Sequence, residues 1–369
     1  MSVYWNERTR ELLPYVPGEQ PKDRKFIKLN TNENPYPPSP AVIEAIQKNT
    51  ASPLRLYPDP ACTELREAAA ARYGVKASMV FAGNGSDEIL AFAWAAFFGA
   101  GSSPLLFPDI TYSFYPVYSQ LWNMPFKAIP LADDFSIDIA PYLKILSQNE
   151  SGGIIFPNPN APTGIALPLS DLQKLADAAM RNKKVFAIDE AYIAFADKEG
   201  VAPAISLLKD FPNLLIIRTL SKEASLAGLR AAFAFGSEEL VEGLCRVRDS
   251  FNSYTVDRLA QAGAAAALGD KTYYDEINRR IIATRNRVKM ELEAIGFKVL
   301  TSQANFLFAA PPAGCGKNGS EVFASLRERG ILVRHFNKER IDNFLRISIG
   351  SDEEMDEFIK ACREIMQNE

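Results

Sequence analysis

Several reactive side chains in this sequence stand just after short apolar runs. In Arg218-Thr-Leu-Ser-Lys-Glu-Ala-Ser-Leu-Ala-Gly-Leu-Arg230, Ser221 and Lys222 follow the run Leu214 to Ile217, which reads as a strand buried on both faces. Ligands in open α/β sheets bind outside such strand ends. Ser225, Ala227 and Gly228 leave room for a bulky planar ligand, and Arg230 can hold a phosphate. A lysine at random is a solvated surface group, so its neighbours carry the argument. They point to a Schiff base between Lys222 and an aldehyde cofactor that also bears a phosphate, as pyridoxal phosphate does.

Ile188-Asp-Glu-Ala-Tyr192 ends another apolar run. A buried carboxylate needs a cation, and a protonated pyridine nitrogen opposite Asp189 would be one; Tyr192 can then reach a ring hydroxyl. A metal-binding aspartate or a helix cap is the alternative for Asp189. Gly83-Asn-Gly-Ser-Asp-Glu88 opens an apolar helix, and its free N–H groups can hold an anion, although an ordinary turn has the same look. The proline-rich Pro157-Asn-Pro-Asn-Ala-Pro-Thr-Gly164 is a rigid third loop. Tyr112 can stack on a planar ring or pack in the core. Arg334 and Arg346, each in a short apolar run, suit a carboxylate or phosphate, or a surface ion pair.

Composition bounds what these residues serve. The chain has 369 residues, 47% hydrophobic and 23% charged, which suits a soluble globular protein with two domains. A net charge of -4 offers no basic stripe for nucleic acid. One histidine and four scattered cysteines argue against a histidine-based metal site or a histidine triad. Reduced thiols, with no apolar run long enough to span a bilayer and no apolar leader expected at Met1 to Arg10, predict a cytoplasmic protein.

The elements that must position the site alternate strand and helix between residues 79 and 251, the pattern of a mainly parallel sheet with helices on both faces. Seven strands are expected, from Met79–Ala82 through Leu214–Arg218 to Ala231–Phe235. Residues 1–40 are rich in proline and read as an extended arm, 41–255 as the large domain, and 256–369 as a smaller α+β domain. The latter begins with one long helix, roughly Gln261 to Ile295.

Taken in order, Leu29-Asn-Thr-Asn-Glu-Asn-Pro, Tyr57-Pro-Asp-Pro, Gly83-Asn-Gly-Ser-Asp-Glu, Asn158-Pro-Asn-Ala-Pro-Thr-Gly, Asp189-Glu-Ala-Tyr, Arg218-Thr-Leu-Ser-Lys and Leu345-Arg-Ile-Ser-Ile-Gly resemble the pyridoxal-phosphate aminotransferases of the aspartate aminotransferase-like fold. Within them the chain is most similar to the histidinol-phosphate aminotransferase group. The resemblance implies Lys222 as the Schiff-base lysine, Asp189 at the pyridine nitrogen and Tyr192 at the ring oxygen. It implies Gly85, Ser86, Ser221 and Arg230 around the cofactor phosphate, Asp87 among the other cofactor-binding residues and Tyr112 on the ring. Tyr57 is expected to reach the cofactor of a partner subunit, hence a homodimer. Arg346, with Arg334, Tyr15 and Asn32 as neighbours, is expected to bind substrate. Two departures stand out: Ala161 replaces the asparagine before Pro-Thr-Gly, so Asn160 is expected to take over its contact, and Glu223-Ala-Ser225 replaces a small apolar triplet.

The implied reaction exchanges an amine between L-histidinol phosphate and 2-oxoglutarate. An aromatic or broad-specificity aminotransferase and a threonine-phosphate decarboxylase share many of these motifs. A nucleotide-binding or cofactor-retaining regulatory module is the reading from another class.

Overall fold

The computed structural model describes residues 3–21, 24–98 and 103–367; the expected arm 1–40 and C-terminal unit 256–369 thus include a few positions outside the described residues. Its strands are β1 (Ile27–Lys28), β2 (Val80–Asn84), β3 (Leu105–Pro108), β4 (Phe126–Ile129), β5 (Gly153–Pro157), β6 (Phe186–Asp189), β7 (Leu214–Thr219), β8 (Ala231–Phe235), β9 (Lys298–Val299), β10 (Phe306–Ala310), β11 (Ile331–Leu332), β12 (Arg334–His335) and β13 (Leu345–Ser348).

Seven strands form one sheet in the order β2-β8-β7-β6-β5-β3-β4. All its neighbours run parallel except β8, which is antiparallel to both β2 and β7. In β7, Leu214 and Ile216 enter one core layer and Leu215 and Ile217 the other. Side chains alternate across a strand, so a continuous apolar run is what a strand covered on both faces requires. The helices Gly85–Phe97 and Glu238–Phe251 cover the face of Leu215; Leu169–Arg181 lies over the opposite one.

A four-stranded sheet, β12-β13-β10-β9, is antiparallel throughout. Leu307 and Ala309 of β10 and Leu345 and Ile347 of β13 pack with Val288 and Leu292 of the helix Lys271–Ile295 and with Phe358 of Asp352–Gln367. The N-terminal arm joins this region, because β1 pairs in parallel with β11 and Ser348 N–H donates to the Leu29 carbonyl at 2.9 Å.

The single helix expected from Gln261 to Ile295 is two, Arg258–Gly269 and Lys271–Ile295. Asp270 breaks it with ψ of 59°, and its carboxylate accepts the Tyr273 N–H at the start of the second helix. Aspartate favours such caps because its side chain competes for backbone donors. The first of the two helices packs on Pro40–Lys48 and Thr63–Tyr73, beside the large sheet.

Candidate active site

A cavity of about 370 Å³ opens where β3, β5, β6 and β7 end. Each strand end contributes side chains from its last residue, from the turn after it or from the first turn of the next helix. β6 carries Asp189, and Tyr192 follows one turn later. β7 ends at Thr219, whose hydroxyl caps the Ser221 N–H at 3.1 Å and starts the short helix Leu220–Glu223 that holds Lys222. β2 leads into the helix from Gly85, whose first turn brings Ser86 and Asp87 to the cavity. Because β8 is reversed, Arg230 at its beginning reaches the same rim.

Gly85 has a reason to be glycine. Its φ is +79°, and a Cβ there would stand 2.5 Å from Arg230 Nη2. Arg230 itself donates to Asp87 Oδ2 at 3.0 Å, and Tyr112 donates to Asp87 Oδ1 at 2.8 Å. The helix N-terminus with Ser86, and Ser221 and Arg230, all line the cavity. That is a donor set for a phosphate.

Asp189 lies at the sheet end of the cavity. It accepts the Ala191 N–H at 3.1 Å, and burial, with Asp87 and Glu190 nearby, pushes its carboxyl up to about 7. Lys222 shows the opposite response. Burial, reinforced by Arg346 and Arg230, brings its amine down to about 8. A carboxylate that lacks a cation and a lysine that sheds its proton easily are groups prepared for chemistry.

The arm and the smaller sheet form the other wall. Lys222 Nζ donates to the Thr31 carbonyl at 3.0 Å. Asn32 donates from Nδ2 to the Tyr192 hydroxyl at 3.0 Å, and its Oδ1 accepts from Ser348 at 2.9 Å. Arg334 and Arg346 face each other across β12 and β13. Arg346 Nη2 donates to the Asn30 carbonyl at 2.9 Å, whereas its buried Nε has no partner. Burial lowers its affinity for the proton, so an anion beside it would be held firmly. Tyr15 lines the cavity and stacks on Phe114 with ring centres 4.2 Å apart.

Most of the expected residues thus meet around one cavity. Asn160 does not join them: Thr111 donates to its Oδ1, while its Nδ2 donates to the Ile110 carbonyl and to Thr163. The amide is engaged in bracing its own loop, and Ala161 is what that loop shows to the cavity. Tyr57 stands elsewhere, 76% exposed and stacked on Tyr254. Sequence reading passed over Thr219, for which an N-cap two residues before Ser221 was a usable signal. It also passed over Thr31, which acts through a main-chain carbonyl and left no signal in residue type.

Among the described residues no group of three or more potential ligands could hold a metal ion, and no helix is long and apolar enough to cross a membrane.

The model of the aminotransferase class I and II family matches residues 24–362. A histidinol-phosphate aminotransferase of Clostridium acetobutylicum is 54% identical over 364 residues, 99% of each chain. One from Bordetella parapertussis is 51% identical over the full length of both. Among solved structures, a histidinol-phosphate aminotransferase of Sinorhizobium meliloti in complex with pyridoxal-5'-phosphate superposes with a TM-score of 0.88 at 25% identity, covering 100% of this chain and 98% of that one. An aspartate aminotransferase of Thermus thermophilus shares the fold, with a TM-score of 0.82 at 17% identity over 99% of this chain and 100% of the other. A cavity built from sheet ends, a buried lysine and a buried aspartate, joined to this similarity along almost the whole length, places the chain in the aminotransferase class I and II family.

Proposed function

We propose that this protein is a pyridoxal-phosphate-dependent aminotransferase that interconverts L-histidinol phosphate and 2-oxoglutarate with imidazole-acetol phosphate and L-glutamate, a step of histidine biosynthesis. The observation that carries it is the placement of Lys222 and Asp189 at the ends of adjacent strands, facing one cavity with Arg334 and Arg346 opposite. The names of the relatives support the substrate.

The residues fit the cofactor. The unpaired charge preference of Asp189 suits a protonated ring nitrogen, and the Gly85 cradle with Ser86, Ser221 and Arg230 suits the phosphate. When bound, pyridoxal phosphate supplies an electron sink for the substrate carbanion. Lys222 would hold the aldehyde carbon and would carry the substrate α-proton, a task suited to an amine near 8. Tyr192, fixed by Asn32, would hold the ring oxygen, and Tyr112 would stack on the ring. Arg346 binds the substrate anion, aided by Arg334, Tyr15 and Asn32.

Two wider assignments accompany this reading. Residues 41–255 form the cofactor-binding unit and 256–369 the smaller one. The protein works as a cytoplasmic homodimer: Tyr57, with exposed Ile43, Leu54 and Leu56 on nearby segments, offers an apolar face to a second copy, and four unpaired thiols suit a reducing compartment.

The test is the visible absorbance of the purified, cofactor-loaded protein during titration with L-histidinol phosphate, L-phenylalanine or L-aspartate. The cofactor band should fall at far lower L-histidinol phosphate than at either other amine. An equal or preferential response to another amino acid would move the substrate to an aromatic or broad range, and carbon dioxide release from phosphothreonine would make the protein a decarboxylase.

A further inference from the structure

The acidic residues that directly follow the two reactive side chains converge on one arginine. Glu190 comes after Asp189 and Glu223 after Lys222. Arg218, inside β7, reaches both: its Nη2 is 2.6 Å from Glu223 Oε2 and its Nη1 3.8 Å from Glu190 Oε2. Side-chain exposures are 6% for Arg218, 0% for Glu190 and 14% for Glu223. The contact with Glu223 is a hydrogen bond, whereas that with Glu190 is a longer charge contact, and Glu190 Oε2 and Arg218 Nε make no hydrogen bond among the described residues. Tyr73 donates to Glu223 Oε1 at 3.0 Å and presents its ring 4.7 Å below the guanidinium; the Ala204 N–H donates to Glu190 Oε1 at 2.6 Å. None of Arg218, Glu190, Glu223 and Tyr73 lines the cavity.

Buried ion pairs contribute little net stability compared with apolar packing of equal volume. What such a group does supply is fixed geometry, since each partner is confined by charge and by direction. Here the geometry joins the ends of β6 and β7, the two points from which the lysine and the carboxylate project. We propose that Glu223 is a positioning residue for Lys222: through Arg218 it clamps the turn after β7 to the end of β6 and so sets the separation of the amine from the Asp189 carboxylate. This rests on the proposed aminotransferase reading.

The charged groups that act most on Lys222 are Arg346, Glu33, Asp87 and Arg230, and a substitution at Glu223 alters none of them. Loss of the clamp lets the amine relax toward water and its pKa rise. Loss of negative charge alone would leave Arg218 with Glu190 as its sole carboxylate partner among the described residues and push the amine down. The two effects have opposite sign, which makes the experiment decisive.

In full-length protein freed of pyridoxal phosphate, labelling of Lys222 by trinitrobenzenesulfonate is followed against pH by peptide mass spectrometry for the unaltered chain, Glu223→Ala and Glu223→Gln. Glu223→Ala is expected to raise the labelling midpoint by about one pH unit. In the loaded protein its kcat should fall at least about tenfold, with KM changed less than about twofold. Glu223→Gln keeps an acceptor for Arg218 and a polar partner for Tyr73, so it should recover most of both. An unchanged or lowered midpoint in Glu223→Ala overturns the proposal, even if thermal stability drops. Failure of the unaltered chain to bind pyridoxal phosphate or turn over would overturn the aminotransferase reading instead, and the labelling comparison would still decide the clamp.

Discussion

Lys222 Nζ and the main-chain carbonyl of Thr31 are 3.0 Å apart, so the reactive amine rests against the N-terminal arm. The bond runs in both directions along the chain, because Asn34 Nδ2 donates back to the Lys222 carbonyl at 3.0 Å. The arm thereby confines the lysine from above while β7 carries it from below.

Replacing Lys222 by alanine removes both the anchor and the proton carrier. Turnover should fall by at least about a thousandfold, the scale of losing an essential acid–base group. The side chain donates to one carbonyl only, so the fold should persist. Steady-state assay alongside circular dichroism checks this, and activity close to that of the unaltered chain would remove Lys222 from the reaction.

Asp189→Asn should separate stability from activity. The folded pKa of Asp189 is raised to about 7 from 3.8. A raised carboxyl favours the folded state below its unfolded pKa, and that contribution is lost as pH rises through the folded value. Asparagine stays neutral, so in cofactor-free protein the variant should be more stable than the parent at pH 8, by on the order of a few kcal/mol, with the gap closing toward pH 4. Activity should nevertheless drop about a hundredfold or more, since the ring nitrogen loses its partner. Thermal unfolding at a series of pH values tests the first part; a gap that ignores pH would contradict it.

Arg346→Ala removes a cation that helps to depress the Lys222 amine. The Lys222 midpoint, about 8 in the parent, should rise, and KM for the acidic substrates should rise by about tenfold to a hundredfold, as expected for a lost charge-assisted contact. Amine labelling and kinetics give the two readings independently. An unaltered KM would take Arg346 out of substrate binding.

Gly85→Ala meets two obstacles: a φ of +79° and an approach of 2.5 Å to Arg230 Nη2. The backbone cost is about 1 kcal/mol, and the half-exposed arginine must move aside. Affinity for pyridoxal phosphate should weaken about tenfold, measured by fluorescence titration of cofactor-free protein. Unchanged affinity would show that Arg230 has no part in holding the phosphate.

Much of the sheet was legible because a strand covered on both faces must be apolar without interruption. Leu214 to Ile217 and Gly153 to Phe156 are such runs, and strands begin within two residues of the expected positions. β1 was not legible: it is two residues long and exists through pairing with β11 some three hundred residues away, information no local window holds. The break at Asp270 was missed because helical periodicity continues across it and outweighed the cap signal of Gly269-Asp270. Within the site, side chains at strand ends were readable from their place in the chain. The contact made by the Thr31 carbonyl was not, and the inward turn of Asn160 depends on Ile110 and Thr111, which arrive from another loop.

The reversed direction of β8 has a cost in evolvability. Since β8 begins at the rim where its neighbours finish, the amine at 222 and the guanidinium at 230 are separated by one short hairpin instead of a full strand–helix–strand excursion. Elsewhere around the cavity, a helix can lengthen or a loop can grow without moving what the strand end presents. Between 222 and 230 no such slack exists. A single inserted or deleted residue there would change the spacing of two charges at once, so this hairpin tolerates little variation in length.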